Sequence, residues 1–256
     1  MLKQRILTAL ILIPLVLFTL FFASYPAFAG ITALVLLLGA WEWSPLMGLH
    51  KKHQRFAWII FIAALFLVLY RLEFLLQPVL IVGALWWTCV TFALGYVIYQ
   101  NYAWKLPSWL VGMSGILSLV PCWVALNALR GLPHGASLVL LLLLCVWGAD
   151  TGAYFAGKQW GHRKLAPLIS PKKSWEGFWG GAVVVVLIAG IGGHLFLGVM
   201  LFLVAVVGDL FESLLKRSSD IKDSGQLLPG HGGILDRIDS LLACAPIFAL
   251  GIIVGL

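Results

Sequence analysis

Ten carboxylates occur in these 256 residues, and six of them fall between 209 and 239. They are Asp209, Glu212, Asp220, Asp223, Asp236 and Asp239, and Lys216, Arg217, Lys222, His231 and Arg237 lie among them. A solvated loop accounts for Asp220 and Asp223. It does not account for Asp209, which follows the apolar run Val199–Val207. Asp209, Glu212 and Lys216 are spaced i, i+3 and i+7, so they share one helix face, with Leu210, Phe211, Leu214 and Leu215 on the other. Asp236 and Asp239 repeat the i, i+3 spacing where the last apolar stretch begins. Two carboxylates on one helix can thus meet two on another. Such a set, with one nearby His and no thiol, suits a hard cation such as Mg²⁺ rather than zinc. Mg²⁺ takes one or two carboxylates and completes its shell with water and phosphate oxygens, which points to a phosphate-bearing substrate. The competing structural reading pairs the acids with Lys216, Arg217 and Arg237 as ion pairs that only hold helices together.

The neighbouring loops fit an anion. Leu228-Pro229-Gly230-His231-Gly232-Gly233 offers backbone N–H groups without side chains and runs into a helix expected near Ile234, whose N-terminus favours negative charge. A second loop carries Lys158, Lys164, Lys172, Lys173 and Ser174. Ser174 either binds phosphate or caps the helix that follows it. These features together indicate phosphoryl or nucleotidyl transfer at a membrane surface.

The elements that must position these residues are membrane helices. Apolar residues make up 62% of the chain and charged ones 11%, against about 25% charged in a soluble domain. That excludes a water-soluble shell and equally excludes disorder. The net charge of +7 reflects basic loops at a membrane and gives no case for a nucleic-acid partner. Apolar spans are expected near 6–23, 27–46, 56–72, 78–99, 108–129, 136–157, 176–192, 195–215 and 238–256, which makes an all-α bundle of about nine transmembrane helices. The first span imitates a signal peptide, but no clear cleavage site precedes its end, so it reads as a retained helix. A break at Gly192-Gly193-His194 separates helices seven and eight. With that break and a cytoplasmic N-terminus, 15 basic residues fall inside and only Arg71 and Arg130 outside; fusing the two helices would reduce this to 11 against 6. Residues 1–135 then form five N-terminal helices, and 136–256 form a catalytic half with cytoplasmic loops at 158–175 and 216–237. No strand pattern stands out. Cys89, Cys122, Cys145 and Cys244 each sit in an apolar run and are expected to be buried. Trp41, Trp43, Trp104 and Trp175 are expected in an aromatic belt, and Trp86 and Trp87 in the packing.

The stretch from Ser213 through Lys216-Arg217, Lys222-Asp223-Ser224-Gly225 and Leu228-Pro229-Gly230-His231-Gly232-Gly233-Ile234-Leu235-Asp236-Arg237-Ile238-Asp239 resembles the hallmark pattern of phosphatidate cytidylyltransferases, or CDP-diacylglycerol synthases. Trp147–Tyr154, Ser170–Gly177, Met1–Pro14 and Ala40-Trp41-Glu42-Trp43 also look like the bacterial members. The resemblance implies the reaction of CTP with phosphatidate to give CDP-diacylglycerol and pyrophosphate, on the cytoplasmic face of a bacterial inner membrane. It implies a metal held by Asp209 and Asp236, with Glu212 and Asp239 in outer-shell roles or at a second ion. Lys216, Arg217, Lys222 and Arg237 would neutralise the triphosphate, and Asp223 belongs to the same catalytic pattern. Lys172, Lys173 and Ser174 would bind phosphate, Asp150 would line the cavity, and Gly230, His231, Gly232 and Gly233 would approach the anion. A homodimer is implied as well. The rival readings are a CTP-dependent lipid or polyprenol kinase, which would transfer the γ-phosphate, and a transporter, whose acids would lie at mid-membrane on several helices.

Overall fold

The computed structural model describes residues 2–102, 104–221, 225 and 232–256, with backbone alone at 2–9 and 11. These residues form nine α-helices: α1 (Leu2–Phe22), α2 (Tyr25–Trp43), α3 (Lys52–Arg71), α4 (Leu76–Gln100), α5 (Ser108–Gly131), α6 (Gly135–Trp160), α7 (Trp175–Ile191), α8 (Leu195–Ser218) and α9 (Leu235–Ile253). Six of them, α2 to α6 and α8, are long and apolar enough to cross a membrane. The protein is therefore an all-α membrane bundle. Helix α7 has 17 residues, and α9 spends its first turns on Asp236, Arg237 and Asp239. The outward surface is apolar: Ile191 is 90% and Phe92 76% exposed, which suits lipid and not water.

Helices α5 and α9 form the centre of the bundle, with Leu119, Val124 and Leu129 packed among Leu235, Ala243, Ala245 and Ala249. Close helix approach is set by glycines, as expected where lipid offers no hydrophobic drive between helices. A Cβ at Gly152 of α6 would lie 2.6 Å from the Gly180 carbonyl of α7. Where α8 crosses α9, a Cβ at Gly208 would lie 2.7 Å from the Asp239 carbonyl. This second crossing places Asp209, one residue on, beside the start of α9.

The break between α7 and α8 falls at Gly192-Gly193-His194, and Gly193 takes the left-handed conformation (φ +77°) that a tight reversal needs. Helix α8 ends in a Schellman turn, with Ile221 N–H donating to Lys216 C=O at 2.9 Å and Asp220 in the left-handed region at φ +55°.

Three sequence expectations are corrected. A strand pair does exist: β1 (Lys164–Ala166) pairs antiparallel with β2 (Ser170–Ser174), in register Lys164↔Ser174 and Ala166↔Ser170. Strands of three and five residues, with only Ala166 and Ile169 of the hairpin fully buried among apolar neighbours, are too short to show a period of two. Cys89 is exposed on α4, whereas the other three cysteines are buried. Trp43 is core rather than belt, 1% exposed and donating Nε1–H to Val111 C=O at 2.9 Å.

Candidate active site

A cavity of about 360 Å³ lies between α6, α7, α8 and β2. Its polar lining is Asp150 and Lys158 from α6, Lys172 and Lys173 from β2, and Asp209 from α8. Its apolar lining includes Phe178, Phe202, Ala149, Ala153 and Ala205. Lys173 Nζ lies 2.6 Å from Asp209 Oδ2, and their side chains are 23% and 30% exposed. The β-hairpin makes this pair possible, because it turns the basic loop back over the bundle. Asp150 is accessible through the cavity and faces Asp209, Lys173 and Arg237 electrostatically. Ser174 takes the capping part expected of it and also stands at the cavity. It lines the cavity, and its Oγ accepts the Gly177 N–H at 3.1 Å as the N-cap of α7.

Beside the cavity, a second group ties α8 to α9. Lys216 Nζ lies 2.9 Å from Glu212 Oε2 on its own helix and 2.7 Å from Asp236 Oδ1 on α9. The other oxygen of Asp236 accepts the Gly233 N–H at 3.0 Å. Asp239 is buried at the α8–α9 crossing, within electrostatic range of Asp209, Glu212 and Asp150. Five carboxylates are thus gathered, and among the described residues Lys173, Lys216 and Arg237 face them. Glu212 Oε1 is buried with no hydrogen-bond partner among the described residues.

Residues 3–254 match the sequence model of the cytidylyltransferase family. The chain belongs to this family. A phosphatidate cytidylyltransferase of Pseudomonas aeruginosa is 44% identical over 97% of this chain and 96% of its own length. One of Haemophilus influenzae is 37% identical over 97% of this chain and 98% of its own, and one of Thermotoga maritima 35% over 96% and 94%.

In this cytidylyltransferase the expected site residues divide between the two groups. Asp150, Lys172, Lys173, Ser174 and Asp209 meet at the cavity. Glu212, Lys216, Asp236 and Gly233 meet at the α8–α9 junction, with Asp239 packed just below. Asp209 and Asp236 are each engaged by a different lysine. Arg217 is exposed at the end of α8, its Nε 3.5 Å from the Ile169 carbonyl of the hairpin. Gly232 holds φ +83°, and a Cβ there would approach Asp236 Oδ2 to 3.2 Å. Lys222, Asp223, Gly230 and His231 lie outside the described residues.

The N-terminus of α9 differs from the sequence expectation of a free anion site. The Leu235 N–H donates to Glu42 Oε2 of α2 at 2.8 Å, and the Gly233 N–H is held by Asp236. The anion at this helix end is therefore supplied by the protein itself. Sequence reasoning assigned no role to Glu42. Its one signal was its cost, a lone carboxylate in the apolar run of α2. Tyr154 was missed as well. It lines the cavity, and Lys158 Nζ lies 5.8 Å from its ring centroid.

The donor set fits a hard divalent ion by its chemistry: its acidic members are all carboxylates, and Glu212 carries a buried oxygen with no hydrogen-bond partner among the described residues. Among the described residues no three His, Cys, Asp or Glu side chains converge as a ready-made site.

Proposed function

We propose that this protein transfers CMP from CTP to phosphatidate, giving CDP-diacylglycerol and pyrophosphate. The observation that carries the reading is a cavity with a mixed lining. Phe178, Phe202 and the alanines suit the glycerol and acyl part of a lipid, and Lys172, Lys173 and Asp209 offer charged groups for a phosphate and its metal. The relatives bearing the name phosphatidate cytidylyltransferase, matched along almost the whole chain, support it.

A phosphatidate phosphate oxygen attacks the α-phosphorus of CTP. A new P–O bond forms, the α–β phosphoanhydride bond breaks, and pyrophosphate leaves with the bonding electron pair. The attacking oxygen is already ionised, so positioning and charge neutralisation carry most of the catalysis. Lys173 is placed to meet a phosphate oxygen by giving up Asp209. Lys216 and Arg237 stand at the α8–α9 junction to neutralise the triphosphate; Arg217 and Lys222 are proposed for the same task from the sequence pattern. Mg²⁺ is the proposed cofactor, held by Asp209 and Asp236, and it would supply charge neutralisation at the phosphates. Glu212 and Asp239 sit where they can orient those ligands.

The finer topology is part of the same proposal: nine spans, a cytoplasmic N-terminus, and the site on the cytoplasmic side of a bacterial inner membrane. The 15-to-2 division of basic residues supports it. A homodimer rests on family resemblance, with cross-linking in native membranes as its test. The function is tested by labelled CTP. Purified protein with Mg²⁺ and phosphatidate should move α-label into lipid and release pyrophosphate, and Asp209→Asn or Asp236→Asn should abolish both. Entry of γ-label into lipid would establish a kinase instead.

A further inference from the structure

Helix α9 begins at the reaction site with a difficulty. Its first N–H groups have no partner within the helix, and no serine, threonine or asparagine precedes it to cap them: the N-cap position is Ile234, which makes no side-chain cap. The partner comes instead from the other half of the chain. Glu42, near the C-terminal end of α2, is 2% exposed. Its Oε2 accepts the Leu235 N–H at 2.8 Å. Its Oε1 is buried without a hydrogen-bond partner among the described residues. A Cβ at Gly225 would run into that oxygen, so Gly225 packs directly on the carboxylate. Asp236 follows Leu235 in the chain and points its Oδ1 at Lys216.

We infer that Glu42 is a positioning residue for the transfer reaction: it caps α9 from α2 and thereby fixes the direction in which Asp236 and Arg237 leave the first turn. This rests on the cytidylyl-transfer reading above. Glu42 does not line the cavity and makes no hydrogen bond to Lys216; it reaches the site through its cap on α9 and by facing Asp236 electrostatically. The end of α2 is itself held. Arg55 donates to Trp41 C=O at 2.8 Å and to Ser44 Oγ at 2.9 Å and lies 3.7 Å over the Trp41 ring. The carboxylate is therefore presented from an anchored helix end. The N-terminal helices, which contribute no other residue to the site described above, thus set the geometry of the catalytic half.

The test compares Glu42→Gln, which keeps an acceptor oxygen at the same reach, with Glu42→Met, which fills the same volume and has none. Two measurements are made on each purified protein. The first is hydrogen exchange of the peptide covering 234–238, read without nucleotide or metal. The second is kcat and KM for CTP with α-label. Glu42→Met should speed exchange of the Leu235 and Asp236 amides by about tenfold and lower kcat by about tenfold or more, with KM for CTP within about threefold. Glu42→Gln should stay within about threefold of wild type in both. Gly225→Ala, which presses on the carboxylate from the other side, should shift both readouts in the direction of Glu42→Met, and it serves if Glu42→Met does not fold. Unchanged exchange in Glu42→Met, or a Glu42→Gln variant as slow as Glu42→Met, would overturn the inference. Wild-type protein that moves no α-label would instead remove the functional reading and leave the exchange result to judge the cap.

Discussion

Lys216 joins α8 to α9 through two carboxylates, and its replacement by methionine has a magnitude that follows from the geometry. The Nζ contacts are 2.9 Å to Glu212 and 2.7 Å to Asp236, and the side chains of Lys216, Glu212 and Asp236 are 15%, 5% and 21% exposed. Removing one partner from a buried pair costs about 3–5 kcal/mol, whereas an exposed pair is worth about 0–1 kcal/mol. Glu212 stands near the buried limit and Asp236 partway out, which places Lys216→Met at about 3 kcal/mol. At about 2–4 °C per kcal/mol for a chain of this size, the apparent melting temperature should fall by about 6–12 °C. The cysteines supply the assay. Cys122, Cys145 and Cys244 are buried, so their reaction with a thiol dye reports unfolding, with Cys89, exposed on the outward face of α4, replaced by Ala to remove its background. Most of the loss comes from the stranded carboxylates, so adding Glu212→Gln to Lys216→Met should recover about half of the shift. CMP transfer should stay low in the double variant, because the charge facing the phosphates is still missing. A Lys216→Met protein that melts within about 2 °C of wild type, or a double variant no more stable than the single, would refute the reasoning.

Lys173→Met should behave in the opposite way. Its bridge to Asp209 is a quarter to a third exposed, so melting should move by no more than about 4 °C, while CMP transfer falls by about a hundredfold or more in the labelled-CTP assay. Ser174→Ala removes the α7 cap at about 1 kcal/mol, whereas Ser174→Asp keeps a capping oxygen and adds charge to the cavity. The thiol assay should therefore separate Ser174→Ala from wild type and the activity assay should separate Ser174→Asp. Gly180→Ala should cost about 1–3 kcal/mol, because its Cβ meets both Ala156 and the Gly152 carbonyl. Gly95→Ala, with nothing within 4 Å of the added carbon, should be neutral or stabilising by about 1 kcal/mol in the same melts.

The helices were legible because lipid allows the backbone few alternatives. The break between α7 and α8 was legible for a different reason: charge asymmetry and the glycine pair at 192–193 both called for it, and Gly193 needs the freedom of φ +77°. The acid cluster could be read from i, i+3 spacing, since α8 and α9 each project two carboxylates from one face. The hairpin at 164–174 could not. It is defined by what it folds over, and its pairing of Lys164 with Ser174 carries no apolar alternation. It is nonetheless what brings Lys173 to Asp209, so the site depends on an element the sequence hid.

The N-terminus of α9 shows where reading by spacing stops. A cap supplied locally leaves a trace, as Ser174 does three residues before Gly177. Glu42 and Leu235 are 193 positions apart, and no periodicity or motif joins them. From the sequence, a glycine-rich turn leading into a helix start reads as an anion site. In the structure Glu42 takes the Leu235 N–H and Asp236 the Gly233 N–H, so on the proposed reading the lysines of β2 and of α8 carry more of the attraction for substrate phosphate. That shift has a chemical consequence. A helix end capped by the protein's own carboxylates does not depend on a substrate anion for its cap. On the proposed reading, binding would draw Lys173 and Lys216 away from their carboxylates, a smaller reorganisation than building a helix terminus around each new phosphate.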